Sequence, residues 1–487
     1  MKQRLSRFMT AVLLIGLILS SCGSDVTTSA PDTSMPDANG TTDMSTESTV
    51  EELLASLPDA NYDGYEFTFL TISSGINSTT RFTDEIYVSE EDGDIINDSV
   101  YQRNQLVSEK YNVTITALPE DTPLEAARSA IMAGDNIFDV MNIRKDEVIT
   151  LLPDGLLADW NSLPYNDYTA PWWNRHCVEK LTIGDFLPLM SGSILISEID
   201  DTLAMVYNKD IATEYKTENL YDVVREGRWT VDYMTNIIKD ISRDLNGDSL
   251  YTVGDDLFGY VQDPNSMTTN WVFASDLMNG YIDADGKWQD NVNMERAQEL
   301  CDKMATIFSS SNFAYTGTDL YEGLNYFEEN KIFLYAIILR NVELLREMDV
   351  DFGILPYPKL DESQDEYITH VGNASPILSL PITNTDTERT SLVLEAMAIA
   401  SYNIVRPAYY DVALKVKMSR DEDSSDMLDI ILDSSTYDLS YMTYKSLSGI
   451  LNPLIAVGNT NFSSEYASRS GTLNQNMQKY IDSVWDS

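Results

Sequence analysis

The chain has 487 residues, 43% of them hydrophobic and 10% aromatic, and its formal net charge at pH 7 is −46. A chain of this length is too long to fold around one ordinary hydrophobic core, which predicts two domains or lobes. So acidic a surface repels phosphates, which argues against nucleic-acid binding and disfavours a polyanionic substrate.

The N-terminus has the three parts of an export signal. A basic start precedes an apolar run over 8–19, which is too short to span a bilayer as a mature helix. The run ends at Leu19-Ser20-Ser21-Cys22, which resembles a bacterial lipobox. The resemblance implies that residues 1–21 are a lipoprotein signal peptide and that Cys22 carries lipid. We therefore expect the protein at the cell membrane, lipid-anchored on its extracytoplasmic face. The alternative is an ordinary secretory signal with an incidental cysteine.

A polar segment follows the predicted lipidation site. Residues 22–61 are rich in Ser, Thr and Asp and have hardly any aromatic residue. Such a segment buries too little apolar surface to offset the entropy of ordering it. We predict that it forms the lipid anchor and a disordered linker.

Apolar runs and helical patterns alternate beyond the linker. Strands are predicted at 66–72, 113–116 and 137–141, and helices at 97–110 and 125–133. Strands that alternate with helices predict a parallel, doubly wound sheet. Later in the chain the pattern predicts strands at 202–207, 332–339, 352–356 and 375–380, and helices at 230–241, 292–308 and about 385–405, with Thr230 as an N-cap and Thr385 opening a capping box.

Two cysteines remain if Cys22 is lipidated. An extracellular location permits a disulfide between Cys177 and Cys301. However, Cys301 lies on the apolar face of a predicted helix, which favours a buried free thiol.

The sequence carries no catalytic signature. It has no G-x-S-x-G, H-E-x-x-H, Walker A or G-x-G-x-x-G motif, and its two histidines are His176 and His370. Carboxylates are so abundant that pairs of them indicate nothing about catalysis. We predict no catalytic residue and no enzyme.

Five segments, taken in order, carry a family resemblance. They are 63–67 (Asp-Gly-x-Glu-Phe), 133–140 (Ala-Gly-Asp-Asn-x-Phe-Asp-Val), 203–209 ending in Tyr-Asn-Lys, 228–230 (Arg-Trp-Thr) and 351–358 (Asp-Phe-Gly-Ile-Leu-Pro-Tyr-Pro). Together, across roughly residues 62 to 487, they resemble the extracellular solute-binding proteins of ABC importers, family 1, the group shaped like maltose-binding protein.

The resemblance implies an α/β, two-lobed periplasmic-binding-protein type II fold (a Venus-flytrap) with discontinuous lobes. It implies an N-terminal lobe of 62–200 plus 360–405 and a C-terminal lobe of 201–359 plus 406–487, which close on a ligand by hinge motion.

The resemblance also implies the function. A monomer would capture a small solute, expected to be a sugar or oligosaccharide, and deliver it to the permease subunits of an ABC transporter. No cofactor would be required, and only the lipid anchor would contact the membrane. A cell-surface carbohydrate-active enzyme is one alternative and would need a catalytic carboxylate pair in the cleft. A sensing subunit without a transport role is another.

Candidate ligand contacts are the positions that match the family's cleft loops. Aromatic faces cover the apolar faces of sugars, while Arg, Asn and Ser bond their hydroxyls. Maltose-type relatives have a tryptophan where this chain has Arg340, which puts maltose-like specificity in doubt. The predicted contacts are Ser74, Asn142, Arg144, Trp172, Trp173, Asn270, Trp271 and Arg340.

A separate motif has the spacing of a calcium loop. Hard cations bind clustered carboxylate and carbonyl oxygens. Ser249 stands where an EF-hand has glycine, and the alternative is a polar surface turn. The predicted ligands of a structural Ca²⁺ are Asp244, Asn246, Asp248, Leu250, Thr252 and Asp255.

Overall fold

The computed structural model describes residues 49–73, 82–262, 268–278, 280–283, 285–315, 320–345, 349–372, 374–410 and 422–486. The predicted lipidation site Cys22 and the predicted contact Ser74 lie outside these ranges. Within them, no helix combines the length and the apolar character that crossing a membrane requires.

The strands mostly lie where the apolar runs predict them. They are β1 (Tyr65–Ile72), β2 (Val113–Glu120), β3 (Val140–Arg144), β4 (Leu189–Met190), β5 (Leu203–Asn208), β6 (Phe258–Gln262), β7 (Gly280–Ile282), β8 (Trp288–Asp290), β9 (Phe313–Tyr315), β10 (Ile332–Ile338), β11 (Phe352–Leu355), β12 (Thr369–His370), β13 (Pro376–Ser379) and β14 (Ser435–Thr436).

The helices connect and cover these strands. They are α1 (Val50–Ser56), α2 (Ile95–Tyr111), α3 (Pro123–Ala133), α4 (Lys145–Val148), α5 (Arg175–Leu181), α6 (Ile196–Asp200), α7 (Lys209–Tyr215), α8 (Leu220–Arg225), α9 (Val231–Ile241), α10 (Thr268–Ala274), α11 (Met294–Phe308), α12 (Leu320–Glu328), α13 (Val342–Leu345), α14 (Thr387–Ala400), α15 (Arg406–Tyr409), α16 (Glu422–Asp433), α17 (Leu439–Tyr444), α18 (Ser446–Ala456) and α19 (Phe462–Asp486). Short 3₁₀ segments occupy Ile149–Asp154, Trp160–Ser162 and Leu339–Asn341, and a π-helical segment, Ser401–Val405, joins α14 to α15.

Two five-stranded sheets organise the molecule. The first has the order β2-β1-β3-β13-β4 and the second the order β11-β5-β10-β6-β9. Both are mixed. β1, β2 and β3 pair in parallel, as the alternation of strands and helices predicts, and one strand in each sheet runs against its neighbours. β13 runs antiparallel to β3, and β5 runs antiparallel to β10. Each of these two strands enters its sheet directly from a segment that crosses between the sheets, and not through a strand–helix–strand unit, which would make it parallel.

Three clusters of buried side chains fill the spaces around the sheets. The first core surrounds the first sheet and contains Phe69 and Trp160. The second core covers one face of the second sheet and contains Trp271. The third core, on the other face, contains Val261 and Phe352. Cys177 lies in the first core and Cys301 in the second, and both are free thiols. The position of Cys301 on the apolar face of α11 predicts this buried free thiol.

Two local predictions need correction. The segment 22–61, predicted as linker, includes α1, whose N-cap Thr49 and N3 residue Glu52 form a capping box and whose Leu54 is buried in the first core. The N-cap of α14 is Asp386, which accepts a hydrogen bond from the backbone of Arg389, and not the predicted Thr385. By contrast, Thr230 caps α9 as predicted, accepting from the backbone N–H of Tyr233 at 3.2 Å.

The chain crosses between the sheets near the same place in both directions. It leaves the first sheet's side at α6 and enters β5, and it returns between β11 and β13. The two crossing segments touch at the bridge between Thr202 and Val371. The limits of the two lobes stay a prediction, because several C-terminal segments pack on both cores.

Candidate functional site

A pocket of about 550 Å³ lies between the first core and helix α16. One wall is the loop that carries Trp172 and Trp173, which pack in or against the first core. The opposite wall is α16, whose Met427 belongs to the second core. The volume lies within the usual range for small-molecule sites.

The pocket wall is built around one buried carboxylate. Glu395, on α14, accepts a hydrogen bond from the indole N–H of Trp172 and another from that of Trp173, both at 2.8 Å. Burial raises the pKa of Glu395 against these two hydrogen bonds, which lower it. Trp173 packs edge-on against Trp160, whereas the ring of Trp172 keeps part of its surface exposed. The carboxylate therefore fixes Trp172 at the pocket edge.

A tyrosine completes the aromatic part of the pocket. Tyr402, in the π-helical segment, has its ring centroid 6.5 Å from that of Trp172, in an edge-to-face arrangement. The guanidinium of Arg406 lies 5.4 Å from the Tyr402 ring and also donates to the hydroxyl of Tyr410 at 3.1 Å. Two aromatic rings beside a cation suit a ligand with both apolar faces and hydroxyls.

Hydrogen-bonding groups line the remainder of the pocket. Asn174 caps α5 with its side-chain oxygen and donates through its amide nitrogen to Glu198 at 2.6 Å. Glu198 also accepts from the hydroxyl of Ser191. Asp429 faces the pocket from α16, and burial raises the pKa of its carboxyl. The polar groups therefore come from both walls.

A second polar cluster is centred on Asn142, in the middle of β3. Asn142 is fully buried and donates to the carboxylate of Glu85 at 2.9 Å. The backbone N–H and hydroxyl of Ser197 also donate to Glu85, at 2.7 and 2.9 Å. Burial raises the pKa of Glu85 to about 7, against these hydrogen bonds. Predicted as a ligand contact, Asn142 is here bound to a protein carboxylate.

The crossing segments carry an ion pair. Arg340, directly after β10, pairs with Asp201, directly after α6. Asp201 is buried, and among the described residues its Oδ2 has no hydrogen-bond partner. The neighbouring Asp200 accepts from the hydroxyl of Tyr409. The Arg340–Asp201 ion pair therefore links the segment that follows β10 of the second sheet to the segment by which the chain leaves the first sheet.

Arg144 is the most accessible of the predicted charged contacts. It ends β3, its side chain is 39% exposed, and it donates to Asp146 at 3.0 and 3.1 Å. The next residue, Lys145, is buried, donates to the carbonyl of Val371 at 3.0 Å, and has its pKa lowered to about 7 by burial. Adjacent positions therefore give one surface cation and one buried amine.

Asn270 and Trp271 lie in the interior. Trp271 is fully buried in the second core, packs edge-on against Tyr260 and Tyr357, and donates through its indole N–H to Gln262 at 3.1 Å. Asn270 is also fully buried and accepts from the backbone N–H of His370 at 3.2 Å. With the ring enclosed and its N–H bonded, Trp271 has the environment of a core residue and not of a stacking surface.

Of the eight predicted contacts, the structure brings Trp172 and Trp173 together at the 550 Å³ pocket. Asn142, Arg144, Asn270, Trp271 and Arg340 are not among the described residues that line it. Sequence reasoning missed Tyr402 and Glu395. Glu395 had a signal, because it is the one charged residue within the apolar run 392–400 and must therefore find a partner when that run is buried.

Two further cavities are lined in part by residues of α5. They have volumes of about 510 and 420 Å³ and share Glu179, Lys180, Asp276 and Arg296. Asp276 adopts a left-handed backbone with φ 52°. Arg296 is already paired with Asp361 at 2.7 Å.

The predicted calcium loop is held by its own hydrogen bonds. Asp244 accepts from the backbone N–H groups of Gly247 and Ser249, at 2.6 and 2.8 Å, and Asp248 accepts from that of Leu250 at 2.7 Å. Ser249 has φ 67°, in the left-handed region. Within the described ranges, no group of three or more His, Cys, Asp or Glu side chains could hold a metal ion. Calcium binding at Asn246, Thr252 and the other ligands stays a prediction.

Comparisons with known proteins give a result only at the level of structure. No protein-family model matches this sequence, and no curated protein matches it. A cyclo/maltodextrin-binding protein complexed with maltotetraose is similar with a TM-score of 0.53 and 12% identity, over 86% of this chain and 94% of that one.

Two further solved structures have a similar extent of likeness. UspC of M. tuberculosis has a TM-score of 0.51 and 14% identity over 86% of this chain and 100% of its own. The ABC substrate-binding protein Lmo0181 from Listeria monocytogenes, in complex with cycloalternan, has a TM-score of 0.51 and 13% identity over 85% and 99%. This chain therefore has the two-lobed α/β fold of those substrate-binding structures, as its sequence predicts.

Proposed function

We propose that the protein is an extracytoplasmic solute-binding protein that captures a carbohydrate between its two lobes and delivers it to an ABC permease. The observation that carries the proposal is the 550 Å³ pocket between the first core and α16, with Trp172 and Tyr402 beside hydrogen-bonding groups from both walls. A ligand there touches both lobes, so its binding energy favours their closure.

The chemistry of the pocket favours a neutral sugar. The rings of Trp172 and Tyr402 can cover apolar sugar faces, and Arg406 and Asp429 can bond hydroxyls. The net charge of −46 opposes anionic solutes at long range. The structurally similar proteins solved with maltotetraose and with cycloalternan support the same class of ligand.

The proposal describes binding without turnover. Glu198 and Glu395 already accept hydrogen bonds from protein donors in the pocket wall. A carboxylate engaged in this way holds other side chains in place, which is the role expected in a binding protein. Retention of the sugar unchanged distinguishes this function from the carbohydrate-active enzyme.

Calorimetric titration with maltotetraose and a panel of neutral and acidic oligosaccharides tests the function. We expect a neutral oligosaccharide to bind and to be recovered intact after long incubation. Tyr402→Ala should weaken binding by about 1–3 kcal/mol. The matched control is Tyr251→Ala, an exposed tyrosine outside the pocket, which should bind like the wild type. Hydrolysed sugar, or equal affinity of both variants, contradicts the proposal.

We further propose that Cys22 carries the lipid anchor. The mature protein should then partition into detergent, and Cys22→Ala should remain in the aqueous phase because it has lost the acyl chains. Phase separation followed by immunoblotting measures the difference, and Cys301→Ala provides the control. Equal partitioning of the wild type and Cys22→Ala would defeat the anchor.

We also propose that the 244–255 loop binds a structural Ca²⁺. Calcium that binds only the folded state raises the melting temperature, so a chelator should lower it, and Asp248→Ala should abolish that response. Asp285→Ala, in another acidic turn, is the control. A melting temperature that changes neither with added calcium nor with chelator would contradict the proposed site.

A further inference from the structure

The C-terminal helix α19 is seated in two cores. Phe462 and Tyr466, at its start, are buried in the second core. Met477, Tyr480 and Ile481, near its end, are buried in the first core. An α-helix of 25 residues is about 37 Å long. We call the buried position of each end of α19 its seat, and the helix keeps the two seats at a fixed separation.

A hydrogen bond and a ring contact hold the end of the helix against the first core. The hydroxyl of Tyr480 donates to the carbonyl of Ile149 at 2.8 Å. The ring of Trp485 lies over Gly184, so close that an added Cβ on that glycine would meet it at 3.0 Å. Ile149 and Gly184 both belong to the part of the chain that surrounds the first sheet.

The β7–β8 hairpin is hydrogen-bonded to the same helix. This hairpin lies between α10 and α11, which both pack in the second core, yet its Trp288 is buried in the first. Trp288 donates its backbone N–H to Gln478 at 2.9 Å and its indole N–H to Asn474 at 3.0 Å. Asp290 accepts from Tyr466 and Asn474. The hairpin and the helix therefore cross from one core to the other together.

We propose that α19 and the β7–β8 hairpin form a strap that, before any solute binds, holds the two lobes in the arrangement described above. A hinge rotation at the crossing segments moves one core relative to the other. A rigid helix cannot stay seated in both cores during that rotation, so opening requires one end of α19 to leave its seat. The inference rests on the hinge closure of the proposed function, but its test needs no sugar.

Hydrogen exchange and small-angle scattering on the full-length, solute-free protein test the strap. In the wild type, we expect protected amides at 477–483. Ile481→Ala weakens the first-core seat, and Phe462→Ala weakens the second-core seat. Each should increase the radius of gyration and should raise amide exchange about tenfold or more, both at 477–483 and at the crossing segments near Thr202 and Val371. Lys479→Ala, exposed on the same helix, is the matched control.

Three results would overturn the strap. One is rapid exchange at 477–483 in the solute-free wild type. Another is a radius of gyration that stays at the wild-type value in both seat variants. The third is faster exchange confined to the helix end, with unchanged exchange at the crossing segments, which shows a docked helix without control of opening. Protection within β1 and β6 reports whether each variant is folded. None of these results depends on whether maltotetraose binds, so failure of the proposed function is separately visible.

Discussion

The two tryptophan segments differ in what surrounds the indole and not in the residue itself. Trp271 is enclosed by Tyr260 and Tyr357, and its N–H is bonded to the neutral amide of Gln262. Trp172 is partly exposed beside Tyr402, and its N–H is bonded to the buried carboxylate of Glu395. The first arrangement stabilises a core. The second holds a ring at a pocket with a face available to a ligand.

The largest expected effect concerns the enclosed ring. Trp271→Ala should reduce the free energy of unfolding by about 3–5 kcal/mol, because it leaves a large cavity and removes the donor to Gln262. Denaturant unfolding measures this change. Trp172→Ala should cost clearly less, since part of that ring is already exposed. If Trp271→Ala keeps wild-type stability and loses sugar binding, the comparison fails and Trp271 returns to the binding site.

The next effect concerns affinity and compares neighbouring rings. Trp172→Ala should weaken binding of the oligosaccharide by about 1–3 kcal/mol, as expected for an aromatic anchor at a pocket. Trp173 is only 4% exposed and packs on Trp160, so Trp173→Phe should change affinity little while lowering the melting temperature. Calorimetry and thermal unfolding of both variants separate the roles. Equal losses of affinity would show that the pair acts as one unit.

The sequence predicts the type of each secondary-structure element better than it predicts the direction in which strands pair within a sheet. The run at 66–72 is apolar and β-branched enough to be a strand wherever it lies, and it is β1. The antiparallel entry of β13 could not be read from its own residues, because it depends on where the chain crosses back at the Thr202–Val371 bridge. Local patterns thus fix the type of an element, while direction in the sheet is a property of the whole path.

The candidate site was predictable to a similar degree. Two aromatic residues after Pro171 indicated a site, and Trp172 does line the pocket. The same reasoning applied to Trp271 gave a residue that is buried, because an indole beside an amide has the same sequence signal in a core and in a cleft. Tyr402 left no signal, since its place opposite Trp172 arises only when α14 packs beside that loop.

The smallest expected effect is a pH dependence of stability that arises from the Glu395 carboxyl, which accepts the two indole hydrogen bonds. Burial holds the pKa of Glu395 above its usual value in the folded state. A raised carboxyl pKa means that the contribution of Glu395 to stability is fully present below its unfolded pKa and is lost as the pH rises through the folded value. We therefore expect the wild type to lose stability relative to Glu395→Gln as the pH rises from the unfolded carboxyl pKa through the raised pKa of the folded state.

Denaturant unfolding of both proteins across this pH range measures the difference. The control is Glu109→Gln, exposed on α2 and measured over the same pH range. The Trp271 segment supplies the internal contrast, because Gln262 is neutral and a substitution there, such as Gln262→Ala, should cost the same stability at every pH. A pH-independent difference for Glu395→Gln would mean that the two indole N–H groups offset the burial of the carboxylate completely. The two tryptophan segments would then differ in exposure alone, and the charge of the acceptor would have no part in holding Trp172 at the pocket.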